Sequence, residues 1–173
     1  MSRFVFKQEV RDMDTLYEAL EDFEADYKVK IAVVCFIFDK DGNLILQRRG
    51  PGARDEVGKL QAIGGSINKV DSDFRDSMMR EIREEGGPYA EVRLDGFIGA
   101  QSDIKYDKNA AETVNWIVLG YRGTLMSGNL VNSEPDRCIG FEKNKLDGFK
   151  REDLSDTAYN FIQEMLKEKQ EGE

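Results

Sequence analysis

The most informative absence in this sequence is histidine, which does not occur among its 173 residues. Without histidine, the catalytic triads that pair serine or cysteine with histidine are excluded, together with most zinc sites. Acid–base chemistry must then come from carboxylates, lysines, tyrosines or a metal-bound water.

Cysteines and long apolar segments are also scarce. The two cysteines, Cys35 and Cys138, are too few for a disulfide framework and favour a reduced protein. The longest apolar run covers residues 31–38, which is far too short to cross a bilayer. The first residues do not show the pattern of a secretory signal. We therefore expect a cytoplasmic protein that does not insert into membranes.

The charge balance is acidic, with 34 acidic against 25 basic residues and a formal charge of −9. Proteins that bind polymeric nucleic acid need clustered lysine and arginine, so we do not expect DNA or RNA as a partner. An anionic small molecule would need a local basic patch or a bound cation to offset this charge.

Apolar residues make up 40% of the chain, enough for one folded domain with a buried core. Hydrophobic periodicity predicts a helix that Asp14 caps and that carries Leu16, Leu20, Phe23 and Tyr27 on one face. It also predicts a second helix over residues 73–85 and a third that is capped near Ser155. Residues 50–59 and 102–112 are expected to be loops. Strands are predicted at residues 3–10, 29–38, 44–47, 60–63, 90–100 and 113–122, and the turn residues 39–43 predict that the second and third form a hairpin. This order indicates an α/β fold in which a mixed sheet of the α+β type lies between helices.

Three glutamates, Glu81, Glu84 and Glu85, crowd the last turns of the second predicted helix. Helical geometry places Glu81 and Glu85 on one face, at the edge of the apolar stripe that should pack on the sheet. The helix dipole disfavours negative charge there, so the cluster calls for a cation. Carboxylate ligands suit Mg²⁺ or Mn²⁺. The alternative interpretation is a solvated acidic helix with an Arg80–Glu84 ion pair.

The context of these acids resembles the signature of the Nudix hydrolase family, of the MutT-like type. The glycine pair Gly64-Gly65 matches the start of the signature, and Arg80-Glu81-Ile82-Arg83-Glu84-Glu85-Gly86-Gly87 matches its second half. The middle departs from the family pattern, because Asp71 takes the place of a glutamate and one extra residue precedes Arg80.

The resemblance implies a fold and a division of the chain. The fold would be a Nudix-type α/β/α sandwich, with the hydrolase domain over residues 29–168. Residues 1–28 would form an N-terminal strand and helix extension packed on that domain, and residues 169–173 a polar tail.

The resemblance also implies roles for particular residues. Glu81, Glu84 and Glu85 would hold Mg²⁺ or Mn²⁺ together with the carbonyl of Gly64. Residues 134–142 look like the Glu-Pro-x-basic-Cys stretch of nucleotide-cleaving members. On that match Glu142 lies on a loop and either completes the metal site or acts as base, although a plain surface loop is the equal alternative. The candidate catalytic residues are therefore Glu84, Glu85 and Glu142.

Substrate contacts are expected from Gly65 and from Arg48 and Arg49 at the end of a strand, where a guanidinium can clamp phosphate. Solvated strand-end charges are the alternative for the two arginines. Arg54 and Lys59 are weaker candidates for the same role. Trp116 could stack on a base, but packing in the core is the favoured interpretation.

The expected function is Mg²⁺-dependent hydrolysis of a phosphoanhydride bond in a nucleoside diphosphate linked to another moiety. The motifs do not choose among nucleoside triphosphates, ADP-ribose, dinucleoside polyphosphates and nucleotide sugars. A non-catalytic module of the same fold that binds nucleotides or a partner is the main alternative. An isoprenoid diphosphate isomerase of this fold would use histidines, which the chain lacks. Pairing into a homodimer is left open.

Overall fold

The computed structural model describes residues 2–67 and 73–172, which form an eight-stranded sheet with helices on both faces. The helices are α1 (Met13–Ala19), α2 (Phe74–Gly86) and α3 (Asp156–Glu171), and a short 3-10 helix covers Arg151–Asp153. The strands are β1 (Ser2–Phe6), β2 (Lys28–Phe38), β3 (Leu44–Arg49), β4 (Leu60–Gln61), β5 (Ile63–Ser66), β6 (Glu91–Asp107), β7 (Glu112–Ser127) and β8 (Cys138–Asn144).

Strand β2 is the centre of the sheet, as its continuous β-branched and aromatic run predicts. One edge pairs in parallel with β7 along the full length of β2. The other edge is shared, because Ile37 pairs with Ile45 of β3 while Val33 pairs with Gly65 of β5. The predicted β2–β3 hairpin is thereby confirmed. This shared edge brings β3 and β5 to the same region of the sheet.

The helices pack on the sheet through apolar stripes at helical spacing. On one face, Leu16 of α1 joins Phe74, Met78 and Ile82 of α2 in a buried cluster. On the other face, α3 contributes a second cluster through Ala158, Phe161, Ile162 and Met165. Two buried clusters on opposite sides of one mixed sheet confirm the predicted α/β/α sandwich.

The first helix begins earlier and ends sooner than predicted. Its N-cap is Asp12, not Asp14, because the Asp12 carboxylate accepts a 2.9 Å hydrogen bond from the Thr15 amide and the Thr15 hydroxyl completes a capping box. The helix ends at Ala19, so Phe23 and Tyr27 lie outside it. The capping box at Asp12 fixes where the helix starts, and the apolar residues that continue the pattern beyond Ala19 do not extend it.

The loop predicted over residues 102–112 is wrong, since β6 continues to Asp107 and β7 starts at Glu112. Three polar side chains of this segment, Ser102, Asp103 and Asp107, are buried, and each forms at least one hydrogen bond. Ser102 donates a 2.7 Å hydrogen bond to Asn115 across the two strands, and Asp103 accepts one from Thr157 of α3. The polar residues of this segment predicted an exposed loop. Hydrogen bonds to residues distant in the chain allow Ser102 and Asp103 to be buried in the strand instead.

The chain ends are part of the same architecture. Strand β1 pairs antiparallel with β6, with Phe4 opposite Gln101, and forms one edge of the sheet. The last helix is capped by Ser155 as predicted and continues to Glu171, into the segment predicted as a tail. No helix in the described part of the chain is long and apolar enough to span a membrane.

Candidate active site

Helix α2 carries the acidic cluster and presents it at the border between the core and an open cleft. Asp73 caps the helix by accepting a 2.9 Å hydrogen bond from the Asp76 amide. Because the apolar stripe of α2 faces the sheet, Glu81 is drawn in with it and is only 7% exposed. Glu84 points away from the stripe, and half of its side chain is exposed.

The glycine pair of β5 lies opposite these carboxylates. A Cβ on Gly65 would stand 2.6 Å from both Glu81 carboxylate oxygens, so that the glycine provides the space in which Glu81 lies. The Gly64 amide is 3.3 Å from Glu85 Oε2, to which it donates. The predicted residues Gly64, Gly65, Glu81 and Glu85 are therefore brought together.

Glu85 is held by a side chain that the sequence did not single out. The Gln47 amide of β3 donates a 2.6 Å hydrogen bond to Glu85 Oε2. Burial raises the pKa of Glu85 to about 7, against which the Gln47 hydrogen bond lowers it, and the negative charge of Glu81 raises it further. Near neutral pH the carboxyl of Glu85 is therefore protonated in part of the metal-free molecules.

Arg80 bridges the other two glutamates of the cluster. One of its amino groups lies 2.9 Å from Glu81 Oε1 and 3.0 Å from Glu84 Oε2, while the second donates to the Ser66 carbonyl at 3.2 Å. Burial still raises the pKa of Glu81 above its usual value, although Arg80 opposes this shift. The guanidinium offsets only part of the cost of gathering these charges.

The cleft in front of the cluster has a volume of about 340 Å³ and is lined by residues of both charges. Its acidic lining residues include Glu81, Glu84, Glu85 and Glu134, and its basic lining residues are Arg49, Arg54 and Arg137. An anionic molecule bound beside carboxylates needs basic groups and a cation to offset their charge.

Glu134 and Arg137 reach the cleft because two loops pack closely on each other. The amides of Gly50 and Gly52 donate 2.7 Å hydrogen bonds to the carbonyls of Arg137 and Asp136. A Cβ on Gly50 would come within 2.6 Å of the Asp136 carbonyl oxygen, so the backbones can approach this closely only at glycine. The loop also brings the charge of Glu134 close enough to raise the pKa of Glu81 and Glu85.

The donor set of the cleft suits a hard divalent ion, although its side chains are not gathered around one point. Glutamate carboxylates are the oxygen ligands that Mg²⁺ and Mn²⁺ prefer, and a cation beside them would offset the burial and charge repulsion that raise the pKa of Glu81 and Glu85. Within residues 2–67 and 73–172, no three acids or cysteines converge closely enough to hold a metal. Glu81 and Glu84 are bound by Arg80, so binding an ion requires these pairs to open.

Two of the predicted site residues pair with each other away from the cleft walls. Arg48 Nε donates a 2.7 Å hydrogen bond to Glu142, and a second nitrogen lies 2.6 Å from the same carboxylate, which is half exposed. Glu142 is in strand β8, paired with Leu46, so the predicted loop there is wrong. The Glu-Pro-x-basic-Cys motif does not predict that β8 pairs with β3 at Glu142.

The other predicted contacts divide between the cleft and the surface. Arg49 lines the cleft, but its guanidinium is bound to Asp55 at 3.0 Å. Lys59 donates to the Glu152 carbonyl instead. Trp116 is 5% exposed and belongs to the core cluster under α3, which confirms its predicted packing role. Asp71, the replacement within the signature, lies outside the described residues.

Three residues that the sequence analysis did not assign also shape the site. Gln47 orients Glu85, and no local pattern marks a glutamine on a strand for this task. Glu134 and Arg137 lie in the Glu-Pro-x-basic-Cys stretch, whose resemblance to nucleotide-cleaving members implies a role for Glu142 only. The proline after Glu134 was the available signal that the first acid of that stretch is fixed in a loop.

The NUDIX domain model matches residues 28–166. Two solved structures share the fold. A MutT NUDIX hydrolase from Burkholderia pseudomallei has a TM-score of 0.62 at 20% identity, over 79% of this chain and 98% of that one. A MutT protein from Methanosarcina mazei Go1 has a TM-score of 0.64 at 20% identity, over 84% and 99%. No curated protein matches the sequence significantly.

Proposed function

Because this chain belongs to the NUDIX domain family and is a Nudix hydrolase, we propose that it cleaves a phosphoanhydride bond in a nucleoside diphosphate linked to another moiety. The proposed cofactor is Mg²⁺ or Mn²⁺. The observation that carries the proposal is that one cleft is lined both by Glu81, Glu85 and Glu134 and by arginines. This arrangement matches a substrate with a diphosphate bound through cations on both sides.

The residues that would hold the metal are Glu81, Glu84 and Glu85 with the carbonyl of Gly64. The chemistry that a divalent ion supplies in such a site is neutralisation of phosphate charge and a lowered pKa of a water molecule. The cost of the buried acid pair is the physical reason to assign the ion here, because a cation stabilises Glu81 and Glu85 in their charged forms.

The remaining side chains would bind, orient and accept a proton. Arg54 and Arg137 line the cleft and would bind phosphate oxygens there. Gly65 also lines the cleft and stays a predicted substrate contact. The pKa of Glu85 is about 7 only while no ion is bound, so its proposed role as the group that takes a proton from the attacking water rests on its place in the cleft. Glu84 and Glu142 are the other proposed bases from the sequence, and Glu134 is added by its place in the cleft.

The proposed partner is a small nucleotide-type molecule. The cytoplasmic location and homodimer formation stay predictions from the sequence.

The test is a phosphate-release assay over four substrate classes, namely nucleoside triphosphates, ADP-ribose, dinucleoside polyphosphates and nucleotide sugars. We expect turnover of at least one class with Mg²⁺, none with EDTA, and recovery when Mg²⁺ is restored. Glu85→Gln should abolish turnover while the circular dichroism spectrum is unchanged. Tight binding of a nucleotide without hydrolysis would favour the non-catalytic binding module instead.

A further inference from the structure

A second cavity of about 60 Å³ adjoins the active-site cleft on the face of the sheet that α3 covers. Asp103 of β6 and Trp116 of β7 form part of its wall, directly opposite each other in the strand register. Arg54 and Gly65 line both cavities, so a molecule seated in the cleft can extend into this one.

Asp103 leaves one hydrogen-bond acceptor without a partner in this cavity. The residue is 4% exposed, and its Oδ2 accepts from the Thr157 hydroxyl. Its Oδ1 is buried and has no hydrogen-bond partner among the described residues, with Lys105 Nζ at 3.9 Å. A buried carboxylate oxygen without a donor is costly and rare, so the oxygen is suited to an incoming N–H group. Burial also raises the pKa of Asp103.

The Arg54 guanidinium covers the indole of Trp116 but is fixed there by few other contacts. Its guanidinium carbon lies 4.1 Å from the ring centroid, and the guanidinium donates a long hydrogen bond of 3.4 Å to Ser66 Oγ. Among the described residues, no carboxylate lies within ion-pair distance of Arg54. Burial lowers the pKa of its guanidinium. A flat cation therefore covers an aromatic face from which an aromatic ligand can displace it.

We propose that this cavity is the subsite for the nucleobase of the substrate, an assignment that rests on the proposed function. The base takes the place of the Arg54 guanidinium on the Trp116 ring, and one of its N–H groups donates to Asp103 Oδ1. Arg54 turns into the cleft, which it already lines, and binds a phosphate there.

The chemistry of the cavity favours a nucleobase over the other parts of such substrates. A base offers a flat aromatic face for the indole, and stacking of this kind is sequence-tolerant and strong. A base also carries N–H donors at its edge, which a buried carboxylate oxygen recognises. A sugar lacks the aromatic face, and a phosphate would be repelled by Asp103. With Arg54 over the ring the cavity is too small for a base, so its displacement is part of the proposal.

Trp116 is the only tryptophan of the chain, so its fluorescence reports on this site alone. The intact protein in EDTA is titrated with the 5′-monophosphates of adenosine, guanosine, cytidine and uridine, and with ribose 5-phosphate. We expect at least one nucleotide to quench the emission saturably and ribose 5-phosphate to leave it unchanged. Failure of all four nucleotides to quench, or equal quenching by ribose 5-phosphate, overturns the assignment.

Asp103→Asn should weaken binding of the quenching nucleotide by about tenfold or more, the usual loss for a hydrogen bond to a charged group. Asp95→Asn is the matched control, because Asp95 is also in β6 and accepts a 2.5 Å hydrogen bond from a threonine hydroxyl, that of Thr124. The control should bind as the wild type does. Equal affinities of Asp103→Asn and wild type would contradict a role for Asp103.

Arg54→Ala gives a second test that does not depend on Asp103. The nucleoside of the quenching nucleotide, which has no phosphate, should bind severalfold more tightly to this variant because no guanidinium must leave the indole. Unchanged or weaker nucleoside binding would show that Arg54 is not displaced. Binding of the base needs neither metal nor turnover, so the subsite and the proposed function can be contradicted independently. Hydrolysis of a substrate without quenching of Trp116 would overturn the subsite alone. Quenching without hydrolysis would support the subsite and overturn the proposed function.

Discussion

The carboxylate of Glu81 lies directly against the α-carbon of Gly65, at a distance that leaves no room for a side chain there. A Cβ at position 65 would be 2.6 Å from the carboxyl carbon and from both of its oxygens. Gly65 is in β5, paired with Val33 at the centre of the sheet, so the backbone cannot easily retreat. The position of this buried acid therefore depends on the glycine.

Gly65→Ala should displace Glu81 and leave the fold intact, because the clashing atoms belong to the end of a flexible side chain. We expect Mn²⁺ affinity to fall by about tenfold, as when a group that positions a ligand is lost. Calorimetric titration with Mn²⁺ measures this. Gly96→Ala is the control, because no atom lies within 4 Å of a Cβ at that position. Equal affinities of the two variants would show that Glu81 is not a ligand.

The raised pKa of Glu85 predicts how the stability of the metal-free protein depends on pH. Its pKa rises from 4.5 to about 7 on folding, so the folded state binds this proton more tightly than the unfolded state. The free energy of unfolding should therefore fall as the pH rises from about 4.5 through 7. Glu85→Gln should remove that part of the fall and stabilise the protein at pH 8 by about 3 kcal/mol.

Urea unfolding in EDTA at pH 5, 6.5 and 8 measures this effect in both proteins. Saturating Mg²⁺ should reduce the difference between them, because the ion stabilises the charged form of Glu85 in the folded state. Parallel pH curves for wild type and variant in EDTA would show that Glu85 titrates normally.

Gln47→Leu removes the 2.6 Å hydrogen bond that lowers the pKa of Glu85. The acidic limb of the kcat/KM profile should then move to higher pH, with a loss of about tenfold at pH 7. The variant should approach wild-type activity in alkaline buffer, where Glu85 is charged in both. A loss of equal size at every pH would assign Gln47 a role in positioning alone.

Glu134 and Glu142 provide a matched pair for locating the loop acid. Glu134 lines the cleft and raises the pKa of Glu85, whereas Glu142 is half exposed and pairs with Arg48. We expect Glu134→Gln to lower kcat by about tenfold or more and Glu142→Gln to change it by less than about twofold. Steady-state kinetics with the best substrate decides between them, and the reverse order would restore the motif-based assignment of Glu142.

Several elements were predictable because their signals are local. The acidic cluster of α2 follows from helical spacing, and the β2–β3 hairpin follows from a turn between two apolar runs. The loop predicted over residues 102–112 failed for the opposite reason. Two of its buried polar residues, Ser102 and Asp103, form hydrogen bonds with the distant residues Asn115 and Thr157, which no local pattern shows.

The sequence by itself determined that three glutamates share the end of one helix beside a glycine pair, because helix period and turn residues act over a few positions. Only the tertiary structure decided which of them is buried, that Gln47 holds Glu85, and that Arg48 and Glu142 lie away from the cleft. Those facts depend on strand register and loop packing, which join residues far apart in the chain. Burial and its electrostatic cost exist only once that assembly has formed.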